Sequence, residues 1–185
     1  PRLHWVSPLP PAATDIAHYT ARILPALAAR AEVVLWTDAP DWDPGLECHA
    51  TVRRYDPGAE ALDLAGLPPN AGPEFAVFQI GNSAAFHAGP VALARRVPGI
   101  VVLHDTGVQD LLLGLVDGGV LDRGDYEDAM TAAHGAQGVD VAARVLARSM
   151  TPAQATAAGC PGFAIVLDRA LGALTHSRPA FETVA

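Results

Sequence analysis

His104, Asp105, Asn82 and the pair His176-Ser177 stand out because each follows a short apolar run. Asn82 comes after Phe75-Ala-Val-Phe-Gln-Ile80 and Gly81. His104-Asp105 comes after Ile100-Val-Val-Leu103, and His176-Ser177 after Gly172-Ala-Leu-Thr175. Asp15 joins them, closing the Pro-rich loop that opens at Ser7. An imidazole can hydrogen-bond a polar ligand or hold a proton near neutral pH, and an adjacent carboxylate can fix local geometry. No Ser, Cys or Lys has an assignable base beside it, and no pair of carboxylates is spaced for double displacement. Whatever chemistry these residues carry does not announce a covalent nucleophile. Each residue also has a plain structural role open to it. Asn82 is an ordinary turn residue, Asp15 and Asp105 are helix caps, and His176-Ser177 is a strand end followed by a cap. His87 reads as structural or interfacial and His4 as packed within a strand.

Four consecutive apolar residues without alternation, as in Ile100–Leu103, indicate a strand covered on both faces, as in a parallel sheet. In such sheets ligands gather beyond the carboxyl ends of the strands, where Asn82, His104 and Asp105 fall. Leu3–Val6, Glu32–Trp36, His49–Tyr55, Phe75–Ile80 and Gly172–Thr175 supply the other expected strands. Ile16, Tyr19, Thr20, Ile23, Leu24 and Leu27 recur at helical spacing, with Thr14 or Asp15 as cap and a bend expected at Pro25. A helix is expected over 107–117, two more within 123–158, one at 163–169 and one from Arg178. The stretch 57–73 has room for one short helix. The order is βαβ-β-βαβ, a helical insertion, then βα. That is an open, mostly parallel Rossmann-like α/β sheet with helices on both faces and right-handed crossovers.

Several functions are disfavoured. There is no GxxxxGK[ST], no GxGxxG after the first strand and no GxSxG elbow. A His-Asp doublet also marks metal-dependent phosphohydrolases, but there it lies on a helix rather than at a strand end. A net charge of −8 argues against nucleic acid or an anionic membrane as main partner. No apolar run approaches the roughly 18 residues that span a bilayer. No metal-ligand spacing surrounds Cys48 or Cys160, so buried free thiols and a cytoplasmic location are expected. All 12 basic residues counted as Lys or Arg are Arg, the usage of a GC-rich, bacterial genome.

Ser7-Pro-Leu-Pro-Pro11 leading to Asp15-Ile-Ala-His-Tyr19, Phe78-Gln-Ile-Gly-Asn82 followed by Pro98-Gly-Ile-Val-Val-Leu-His-Asp105, and Ala173-Leu-Thr-His-Ser177 occur in that order. Together they resemble the N-terminal domain of GT-B-fold glycosyltransferases of family 4, the retaining, glycogen-synthase-like type. The resemblance implies that residues 1–185 form a single acceptor-side domain and that the donor-binding C-terminal domain lies outside this sequence. The paired-glutamate donor motif has no counterpart after Ser177. It further implies a hexosyltransferase-type enzyme as the whole protein, with this half inactive alone. His104 would be the catalytic histidine near the transferred sugar, and Asp15, Asn82, Asp105, His176 and Ser177 would bind substrate. The nucleotide-sugar donor would be a co-substrate, the acceptor a carbohydrate or other hydroxyl compound, and no metal or separate cofactor would be needed. Asp15 and His18 depart from the family's first-loop pattern and put donor phosphate contact there in doubt. Two alternatives remain open: a stand-alone α/β module binding a nucleotide or small metabolite, and a small hydrolase or isomerase working through His104-Asp105.

Overall fold

The computed structural model describes residues 1–58 and 74–185. Six strands, β1 (Arg2–Val6), β2 (Glu32–Thr37), β3 (Thr51–Arg54), β4 (Glu74–Ile80), β5 (Gly99–Leu103) and β6 (Ala170–Thr175), form one sheet. Its order is β3-β2-β1-β4-β5-β6 and every pairing is parallel. This is the open, Rossmann-like α/β sheet the apolar runs foretell. The strand expected over 49–55 contracts to Thr51–Arg54, an exposed edge with few apolar side chains to bury. The helix expected within 57–73 falls on residues outside those described, apart from the turn at Pro57-Gly58.

Helix α1 (Asp15–Ala28) covers one face, where Trp5, Leu24, Leu35, Val77 and Val102 cluster. Helices α2 (Ala84–Ala94), α3 (Gln109–Asp117), α4 (Arg123–Leu146), α5 (Pro152–Ala157) and α6 (Phe163–Leu167) share the cluster built on the other face, around Val6, Phe78, Ile80, Val101 and Leu112. Burying each such side chain contributes about 1.5–3 kcal/mol. The chain ends in α7 (Arg178–Val184). Thr14 caps α1 by accepting from the Ile16 N–H at 3.4 Å, so Asp15 is the first helical residue rather than the cap. Helix α1 continues past Pro25, whose ring lies on the exposed side. His4 is packed as expected: Trp36 Nε1 donates to its Nδ1 at 3.1 Å, and Glu74 lies 3.5 Å from its Nε2. Cys160 is buried, but Cys48 is exposed, because it ends a surface 3-10 turn (Pro44–Cys48). Among the described residues no helix is long and apolar enough to cross a membrane.

The two helices expected between 123 and 158 correspond to α4, which breaks at Gly135 (φ 58°, ψ −140°), a conformation reserved for glycine. The second half folds back on the first, so a Cβ added at Gly138 would collide with the Met130 backbone carbonyl. Gly138→Ala is expected to lower stability by about 1–3 kcal/mol through this overpacking. Urea titration checks it, and an unchanged midpoint would show that the two halves do not meet in solution.

Candidate functional site

The connections from β1 and β4 leave in opposite directions, so a crevice opens where these neighbouring strands end. A cleft of about 600 Å³ occupies it. Asp15, Asn82, His104, Asp105 and His176 all border this cleft, together with Tyr19 and His87. Ser177 does not: its hydroxyl accepts from the Ala180 N–H at 3.3 Å and caps α7. His18, exposed on α1, is also outside it.

Parallel register explains the histidine pair. Val102 aligns with Leu174 across β5 and β6. Two residues further on, His104 and His176 reach the same side of the rim. Their ring centroids are 4.4 Å apart, and Tyr19 of α1 meets each of them edge-on at 5.1 Å. Ser7 at the other end of the first loop is spent internally, 2.8 Å from Thr20 Oγ1 and donating to the Pro8 carbonyl.

Of the two roles open to Asp105, capping the following helix or fixing local geometry, the structure shows the second. Its Oδ2 accepts from the Asn82 backbone N–H at 3.0 Å. Val108 stands at the N-cap of α3 and offers no side-chain acceptor. Asn82 performs that task from the neighbouring loop: its Oδ1 accepts from the Leu111 N–H at 3.1 Å, and its Nδ2 donates to Asp110 at 3.0 Å. Both polar ends of the Asn82 side chain are thus engaged, and the loop after β4 is tied to the loop after β5.

Gln79 is the residue that sequence reasoning missed. It is fully buried inside β4. A carbonyl oxygen can only accept, so the contacts made by Gln79 set two tautomers. Its side-chain Oε1 takes the proton of His104 Nε2 at 2.9 Å. Its backbone oxygen takes that of His87 Nδ1 at 3.1 Å. His104 is left with its lone pair on Nδ1, and His87 with its lone pair on Nε2. Burial pushes the His87 pKa down to about 4 against the opposing Gln79 and Asp105 contributions. Burial, and then the neighbouring His176 and His87, bring His104 down to about 4. Both rings are neutral near pH 7. Burial also raises the Tyr19 phenol.

The site therefore presents neutral imidazoles, carboxylates, an aromatic edge and the hydroxyls of Thr14 and Ser83. Among the described residues no three His, Cys, Asp or Glu side chains gather as metal ligands. Two clefts of similar size, about 630 and 590 Å³, flank Arg95 on the helix-rich side and contain no histidine. No protein-family model, curated protein or solved structure matches the chain.

Proposed function

We propose that this domain is the acceptor-side lobe of a retaining, nucleotide-sugar-dependent glycosyltransferase of the GT-B type. In this reading a donor-binding lobe of about 150–200 residues, a typical domain length, faces the crevice. The observation that carries it is the neutral His104 packed against His176 at the β1–β4 crevice. A retaining transfer on one face of the sugar suits such a site, because the leaving phosphate assists deprotonation of the acceptor hydroxyl. The protein then has to orient two reactants and stabilise separated charge. His104 hydrogen-bonds the transferred sugar or the charge developing on it. Asp15 and His176 line the acceptor side. Asn82 and Asp105 hold the two rim loops in register, and Ser177 anchors the helix after His176. Asp15 stands at the N-terminus of α1, where an anion would otherwise be favoured, so donor phosphates are held from the opposite lobe.

The test is turnover of a panel of nucleotide sugars by the protein that carries this chain and its second lobe. Released nucleotide measures the rate, and proton NMR of the product reads the anomer. Transfer with retention is the expected result. The proposal is falsified if the reading frame ends at Ala185 or if every nucleotide sugar is left intact.

A further inference from the structure

The cleft is built to receive hydrogen-bond donors, and this narrows what can enter it. His87 is 1% exposed, lies on the cleft wall, and has no hydrogen-bond partner on Nε2 among the described residues. Its Nδ1 proton is committed to the Gln79 carbonyl, so Nε2 is a bare acceptor. Gly81 is packed closely beside it: a Cβ there would stand 2.5 Å from Ile16 Cδ1 and 2.9 Å from His87 Nε2, so only glycine fits next to the ring. A ligand hydrogen donated to Nε2 from the cleft meets that lone pair, with the Asp105 carboxylate close enough to act on the ring.

Charge agrees with that polarity. The described residues lining the cleft include Asp15 and Asp105 and no arginine, and the chain has no lysine. Two helix N-termini approach the rim, which by themselves would attract an anion. Each is already answered by a carboxylate, Asp15 at α1 and Asp105 on the Asn82 N–H ahead of α2. A phosphate placed here would face two carboxylates with no cation to offset them.

We infer that the cleft takes a polyhydroxy ligand without phosphate, neutral or amine-bearing, with one of its hydrogens donated to His87 Nε2 beside Asp105. This specifies the acceptor in the transferase reading and rests on that reading for the name acceptor. Three probes share one ring and differ in charge: glucosamine, glucose and glucose 6-phosphate, with inorganic phosphate as a fourth. Binding to the 185-residue chain is followed near neutral pH through the histidine ring nitrogen signals.

Glucosamine and glucose are expected to move the His87 signal. Glucose 6-phosphate is expected to bind about tenfold more weakly than glucose, from the repulsion of two nearby carboxylates. Asp105→Asn keeps an oxygen for the Asn82 N–H and is expected to erase about half of that difference in binding free energy, so that glucose 6-phosphate binds about threefold more weakly than glucose. His87→Gln, with its fold checked by circular dichroism, is expected to weaken glucose. Equal or tighter binding of glucose 6-phosphate, displacement of glucose by inorganic phosphate, or no response to any of the sugars would overturn the inference. The transferase reading fails separately. A cleft that prefers glucosamine in a protein that never consumes a nucleotide sugar leaves the ligand class standing and removes the reaction. Turnover with a phosphorylated acceptor does the reverse.

Discussion

His104→Ala is expected to slow nucleotide-sugar turnover by about 100- to 1,000-fold, the usual effect of removing one preorganised group from a site of developing charge. The substitution also has a structural cost that must be separated from the chemical one. His104 supplies the proton accepted by Gln79 Oε1, and Gln79 Nε2, in its buried position, has no partner among the described residues. Truncating His104 strands the whole amide, at about 1–3 kcal/mol of stability. Gln79→Leu removes the stranded amide. In the double variant stability should return toward that of the parent while turnover stays low. Gln79→Leu alone frees His104 to exchange tautomers and is expected to reduce kcat by about tenfold, as for a lost positioning contact. If His104→Ala turns over within threefold of the parent, or if the double variant regains activity together with stability, His104 is a packing residue only.

Most of the scaffold was legible because its signals are local. Non-alternating apolar runs of four to six residues, broken by Gly, Pro or a polar pair, gave the strands. Their alternation with helical periodicity gave a parallel sheet. The rim residues followed, since a polar residue at the end of each run must lie along one edge. What stayed hidden depended on partners far away in sequence. Gln79 looked like one more strand residue, and only its register beside Val102 shows that it sits beneath His104. His87 lies on a helix whose residues are apolar nearly all round, so its periodicity does not single out one buried face. Tyr19 fitted the apolar stripe of α1 and also serves as the edge against which two imidazoles pack. A polar residue inside an apolar strand, two positions before the rim, was the available signal for Gln79. The exchange of roles between Asp105 and Asn82 had none. Both are good caps, and which helix end each one reaches is fixed by the β4–β5 register across a separation of 23 positions.

Two imidazoles, the buried His87 and the half-buried His104, make stability fall on acidification, in a window fixed by their pKa values. In the unfolded chain a histidine titrates near 6.5, whereas His87 and His104 in the fold titrate at about 4. Between those values the unfolded state binds more protons than the native one, so stability rises with pH. It is complete above about pH 6.5 and is lost progressively as pH falls through about 4. The His87 shift alone corresponds to about 3 kcal/mol. His104, half-buried at the cleft, adds to this in the same direction. His4 is also lowered by burial, with Glu74 opposing. Asp38 works the other way, because burial raises its carboxyl and acid neutralises it. Two histidines act in one direction against this single carboxyl. Urea unfolding at pH 7 and at pH 4.5 should therefore differ by several kcal/mol, and His87→Gln should flatten that slope by close to its own share. A flat profile across the window, or a His87→Gln variant with the parent's slope, would mean that His87 is hydrated in solution and that the cleft is more open than its geometry implies.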